Sequence, residues 1–300
     1  MLPDVVPALV FTDTNLNLIR FMKLSKLMLS LLVLGLAGTL SAQKKYPVEL
    51  TLQKGARASA VIATSLSQQG TVGGQEFVNA QMVTQNHFTF TVTRAEGMVY
   101  DLEVVIDSIA NEATVNGQKQ TMHSSSNKEL AAVCGKKAIV TVNSDFTQVG
   151  EPRAAEGELN EDVAAAVRNL IGCMAFYYPA HTDSGESKKH AGLPEGGTFT
   201  ASTQNISLHL VQDAQMISKS GGETTLMKVA DDAYNLLANY QIEASMEGFP
   251  MSGMMNSSYT IDRSYGLPSA LTTAALSGTQ NTPQGAVELH MNMIESFSIK

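Results

Sequence analysis

Histidine and cysteine are the side chains best suited to acid–base, nucleophilic or metal chemistry near neutral pH. This chain of 300 residues holds six histidines (His87, His123, His181, His190, His209 and His290) and two cysteines, Cys134 and Cys173. None of the histidines sits in a GxSxG setting, an HExxH helix or a CxxCH sequence. No catalytic residue is therefore assigned. His181 and His190 flank Asp183 and Glu186, a loose metal-site spacing that reads better as a solvated loop. His209 and His290 fall on the polar side of alternating segments and read as surface. The cysteines form no CxxC and have no histidine at ligand spacing, so no metal site is assigned. Two readings of Cys134 and Cys173 stay open: a disulfide, or two buried free thiols.

Methionine is the other unusual feature. Met246, Met251, Met254 and Met255 cluster around Gly248-Phe249-Pro250, and Met291 and Met293 flank His290. Thioether and imidazole ligands suit Cu(I). Strand parity argues against a joint site, because it puts Met291 and Met293 on one face and His290 on the other. Methionine also fills irregular apolar space and lines adaptable binding surfaces. No glycine-rich phosphate loop is present, no calcium loop spacing, and no cofactor is called for. Asp231-Asp232 reads as a turn.

Most of the chain reads as strand. Phe88, Phe90 and Val92 alternate with threonines; Tyr100, Leu102, Val104 and Ile106 alternate with Asp101, Glu103 and Asp107; Ile206, Leu208 and Leu210 and then Val287, Leu289, Met291 and Met293 continue the pattern. Period-two patterning buries one face and favours antiparallel pairing. Gly73-Gly74, Asn116-Gly117, Gly196-Gly197 and Gly221-Gly222 read as turns between strands. One helix is expected at 158–178, with Leu159, Val163, Val167, Leu170 and Met174 on one face. Asn160, Glu161 and Asp162 suit its N-terminus, and Pro179 ends it. Residues 179–197 read as an exposed loop. The expected class is mainly β (α+β): curved antiparallel sheet, as a half-barrel or two related β halves, with one amphipathic helix. The halves would be 43–157 and 198–300. A faint echo between 101–109 and 288–297 motivates the two-half reading, with one extra residue absorbed by a bulge.

The N-terminus carries an address. Met22 is followed by Lys23 and Lys26, an apolar run from Leu27 to Leu36, and small residues up to Ala42. This is the pattern of a signal peptide at 22–42, cut before Gln43. Residues 1–21, with Asp4 and Asp13, do not suit such a leader and read as a misassigned extension. No cysteine lies near the cut, so a lipid anchor is not expected. The chain would then be exported to the periplasm or cell envelope. Its net charge is −8, without basic clusters, which disfavours nucleic acid as a partner.

Several short motifs resemble a family of uncharacterised exported proteins common in Bacteroidota, built on a domain of unknown function. They are the Ser41-Ala42-Gln43 junction, Val48-Glu49-Leu50-Thr51-Leu52 leading into Lys54-Gly55, Cys134-Gly135-Lys136-Lys137, Leu193-Pro194-Glu195-Gly196-Gly197-Thr198-Phe199 and the closing strand at 286–299. The resemblance implies an exported β-rich fold and carries over no catalytic residue. At the level of fold, the chain is also similar to periplasmic half-barrel carriers of lipids and lipoproteins. The resulting expectation is a non-enzymatic binding or carrier protein for an apolar small molecule or lipid. Met82, Phe88, Phe90, Leu170, Met174, Met291 and Met293 are the candidate lining. The alternative is an envelope assembly factor that contacts other envelope proteins through its sheet edges. A Cu(I)-binding protein or a hydrolase ranks behind both.

Overall fold

The computed structural model describes residues 45–46, 50–177, 193–194, 198–201, 219–246 and 249–300. The signal segment 22–42 and the extension 1–21 lie outside the described residues. So do His181, His190, His209, the 206–210 alternation, Pro179 and Gly196-Gly197.

The elements in chain order are β1 (Lys45–Tyr46), β2 (Arg57–Val72), β3 (Gln75–Glu96), β4 (Val99–Val115), β5 (Gln118–His123), α1 (Lys128–Val133), β6 (Lys137–Asn143), β7 (Arg153–Ala154) and α2 (Glu161–Phe176). Then come β8 (Leu193–Pro194), β9 (Thr198–Ala201), β10 (Lys219–Val229), β11 (Ala233–Met246), β12 (Phe249–Asp262), β13 (Pro268–Thr282) and β14 (Gly285–Ile299). One curved, open, twelve-stranded sheet runs β7-β6-β4-β3-β2-β14-β13-β12-β11-β10-β9, with β5 added beside β4. Every pairing is antiparallel. The small β1–β8 pair stands apart from it. Of the two arrangements expected, the single curved sheet is the one formed. The first long strand, β2, pairs with the last, β14, so the two stretches of strands on either side of α2 merge into one surface.

Alternation explains which face is buried. The even positions Ala58, Ala60, Ile62 and Leu66 of β2 are buried, as are the odd positions Leu289, Met291, Met293 and Phe297 of β14. The other face is mixed: exposed Thr273 and Ser277 on β13 and His290, Asn292 and Ser296 on β14 share it with exposed Val83, Met254, Leu271 and Ile294. Among the described residues, no helix is long and apolar enough to cross a membrane.

Helix α2 packs its apolar side against the inward face of the sheet. The Asn160 side chain accepts a hydrogen bond from the Asp162 N–H at 2.7 Å, so the helix starts at Glu161 and Leu159 falls just before it. Val163, Val167, Leu170 and Met174 are buried as the spacing predicts, joined by Ala164 and Ile171. Each large apolar side chain there contributes roughly 1.5–3 kcal/mol of burial. The Tyr177 ring at the C-terminal end lies against Tyr259 and stacks on Phe297, with centroids 5.3 and 6.0 Å away. Gly172 sits on the exposed side of α2 with nothing within 4 Å of a Cβ built there. Gly172→Ala is therefore expected to stabilise the protein by about 1 kcal/mol, read as a rise of roughly 2–4 °C in the thermal midpoint.

Two local readings are corrected. Gly221-Gly222 is not a turn; both residues lie inside β10. A Cβ at Gly222 would come within 2.1 Å of the Asn239 carbonyl oxygen on β11, so glycine serves a close strand approach there. The short helix α1 was not expected. Its Asn127 side chain accepts from the Glu129 and Leu130 N–H groups at 2.9 and 3.1 Å, but only Val133 is buried. Six residues with one buried position leave no periodicity to read.

Candidate functional site

The inward face is mostly apolar; apart from Asn86 opposite Ile62 and Gln68 opposite Met291, its small polar side chains gather along one line. Register places Asn111 of β4 opposite Thr84 of β3, and Thr84 opposite Thr64 of β2. Thr64 then faces Glu295 of β14, Glu295 faces Thr272 of β13, and Thr272 faces Ser257 of β12. The row ends through Ala238 of β11 at Thr224 of β10. Directly opposed residues in an antiparallel ladder share a face. These side chains therefore make a polar belt that crosses the strands at right angles.

The belt has two different halves. On the β10–β13 side it is sealed: Thr272, Ser257 and Thr224 are buried. They are also matched. Thr272 Oγ1 lies 2.8 Å from both the Tyr177 hydroxyl and Ser257 Oγ, and Thr224 Oγ1 lies 3.0 Å from the Tyr240 hydroxyl. On the β4–β14 side, Asn111, Thr84, Thr64 and Glu295 are only partly buried. Glu295 accepts from Thr64 Oγ1 at a long 3.4 Å, and no cation among the described residues pairs with it.

Burial dominates the electrostatics. It pushes the Glu295 carboxyl above the usual glutamate range, against smaller opposing hydrogen bonds from Thr64 and Tyr177. Burial and then the nearby Glu295 charge push the Tyr177 hydroxyl and the Cys173 thiol well above their ordinary values. Cys173 is thus a poor nucleophile, and Cys134 and Cys173 are both free thiols in the structure. A carboxyl raised in the folded state binds more protons there than in the unfolded chain. Its contribution is complete below the unfolded value near 4.3 and is lost as pH rises through the folded value. Glu295→Gln is expected to remove that alkaline loss, checked by thermal midpoints across pH 4–8 (about the window that raised carboxylates span).

The opposite sign holds at Asp101 near the β7 edge. Arg94 binds its carboxylate through two nitrogens at 2.9 and 3.0 Å, with Thr141 at 2.6 Å and Arg153 at 3.3 Å. The Arg94 guanidinium holds Asp101 below the usual carboxylate range. This cluster pins four strands together.

The seven candidate lining residues divide around the belt. Met82, Leu66 and Met293 form the adjacent row on one side, with Met291 one row further. Phe88 and Phe90 lie on the other side, along β3. Leu170 and Met174 come from α2. All seven belong to, or pack against, one apolar cluster. Two surface hollows of about 490 and 330 Å³ are lined by other residues, at the Gly117 turn and beside Tyr265. The methionines do not converge: Met251 and Met255 are buried while Met254 is exposed. No group of three or more His, Cys, Asp or Glu residues that could hold a metal occurs among the described residues. His123 Nδ1 lies 2.7 Å from Ser125 Oγ but also accepts the Ser125 N–H at 3.0 Å; the contact closes an exposed turn. Glu295 was missed in the sequence. The signal was present, because Glu295 continues the 289-291-293 parity to Phe297.

No family model matches the chain, and no curated protein matches its sequence. Among solved structures it is similar to lipovitellin, described for its lipid–protein interactions, with TM-score 0.48 and 8% identity over 83% of this chain and 26% of that one. DynF from the dynemicin biosynthesis pathway of Micromonospora chersina gives TM-score 0.21 and 10% identity over 86% and 87% of the two chains. An outer membrane channel from Pseudomonas putida F1 gives 0.25 and 6% over 84% and 97%. At these scores none of the likenesses bears on function.

Proposed function

We propose that this is an exported binding or carrier protein of the cell envelope that takes an apolar ligand on the inward face of its curved sheet. The observation that carries the reading is the apolar face on one side of a single open sheet. The apolar face is turned inward around a single crossing helix, and a partly accessible polar line interrupts it. Concave apolar surfaces with a few placed polar groups are the usual form of ligand sites. Met82 is partly exposed on that face, and Met291 and Met293 are packed beneath it, where thioether side chains adapt to a change of contact. The alternative role, recruitment of envelope proteins by strand addition, has less support. The ends of the main strand order, β7 and β9, are two and four residues long, and short edges resist added strands; the six-residue β5, paired to β4, is the longer edge on which that role would depend.

Native mass spectrometry of gently purified protein should show a bound mass that organic extraction removes. The extracted protein should then bind N-phenyl-1-naphthylamine saturably. No bound mass together with no saturable probe binding overturns the reading. N-terminal sequencing of protein recovered from envelope fractions should begin at Gln43; an intact Met1 or Met22 there would overturn the export step.

A further inference from the structure

We propose that the open half of the polar belt, centred on Glu295, is a head-group site, and that the ligand is an amphiphile whose head donates hydrogen bonds: an amine or a hydroxyl. The inference rests on the function proposed above and specifies its ligand. Four observations support it. Glu295 lies on the inward face by strand parity, between Met293 and Phe297, so its position is not a surface accident. Its acceptor capacity is unmatched: two carboxylate oxygens offer about four lone-pair sites, against a 3.4 Å contact from Thr64 and the neighbouring Tyr177 hydroxyl. The closed half of the belt satisfies its own groups, whereas Asn111, Thr84, Thr64 and Glu295 remain accessible. Finally, the belt is bordered by the apolar row Met82-Leu66-Met293-Ala274 on one side and by Asn86-Ile62-Phe297-Ala270, apolar except for Asn86, on the other.

This arrangement discriminates by head group. A largely buried carboxyl with only the long Thr64 contact and the Tyr177 hydroxyl beside it is incompletely satisfied, and a donor that completes it is rewarded by charge-assisted hydrogen bonding. An ammonium or hydroxyl supplies donors to Glu295, with its chain directed to the partly buried Met82 and, beneath it, the buried Leu66 and Met293. A carboxylate head brings a second negative charge to the same place and is repelled. Thr64, Thr84 and Asn111 extend the site sideways, so a head with more than one polar group also fits the line.

The test uses the full chain, freed of bound mass, with displacement of N-phenyl-1-naphthylamine as readout. The probes are tetradecylamine, tetradecanol and tetradecanoate at monomeric concentrations. The amine and the alcohol should each displace the probe at roughly tenfold lower concentration than tetradecanoate, which corresponds to about 1.4 kcal/mol. Glu295→Gln keeps the shape of the side chain and should abolish the amine preference while retaining tetradecanol. Thr64→Val, checked for an unchanged thermal midpoint, should weaken both donors. Glu288→Gln, an outward-facing exposed position of the same strand, should change nothing. Equal binding of the three probes, or an amine preference that survives Glu295→Gln, overturns this inference and leaves the binding function standing. Failure of every probe and of the naphthylamine itself overturns the binding function, and this inference with it.

Discussion

Val167→Asp is expected to lower the thermal midpoint by roughly 10 °C or more, the largest loss of any single change to the helix. Val167 is fully buried in α2, midway along the face that packs against the sheet. The substitution removes roughly 1.5–3 kcal/mol of burial and leaves a carboxylate in an apolar contact without a partner. The two effects together amount to about 3–5 kcal/mol, and in a chain of this size each kcal/mol moves the midpoint by about 2–4 °C. Ala165→Asp is the matched control. Ala165 is exposed on the opposite side of the same helix, where a substitution costs within about 0.5 kcal/mol. A Val167→Asp protein that melts like the Ala165→Asp protein would show that α2 is not docked on the sheet.

Gly253→Val should cost about 3 kcal/mol or more, measured as a lower midpoint in chemical denaturation. Gly253 of β12 lies opposite Leu276 of β13 and Ile242 of β11. A Cβ built there would lie 1.8 Å from the Ala275 carbonyl oxygen and 2.9 Å from Leu276 Cα. Both are backbone atoms, so a rotamer change cannot relieve the contact and the β12–β13 ladder itself must part. Ser252→Val, at the exposed neighbouring position, should change stability little. Equal midpoints for the two variants would refute the close approach.

The alternation in the sequence reported parity well and register not at all. Reading 289, 291 and 293 as one face placed Met291 and Met293 inward and His290 outward, as observed. The same reading stopped two residues short of Glu295, because a charged residue looks like the end of an apolar series. The belt itself could not be read along the chain. It is made by hydrogen-bonded neighbours such as Thr64 and Glu295, which lie 231 positions apart. Helix α2 was legible because the contacts that define it are local: apolar spacing, an asparagine cap and acidic residues in the first turn. The misread Gly221-Gly222 pair shows the limit of punctuation signals. Glycine marks a turn when the chain needs a positive φ, as at Gly73 and Gly74, and marks a strand crossing when it needs room, as at Gly222.

The junction of β2 with β14 at the centre of the sheet bears on how the molecule assembles. As the chain folds, β2, β3 and β4 can zip together through successive hairpins, and so can β10 to β14. The seam between the two blocks closes last, and its loop is among the longest the chain can make. High contact order of this kind slows folding. Until the seam closes, each block shows a long central strand with an unsatisfied edge, which is the template for pairing with the wrong molecule. Refolding yield should therefore fall steeply with protein concentration, and the lost material should be intermolecular β-sheet rather than unfolded chain.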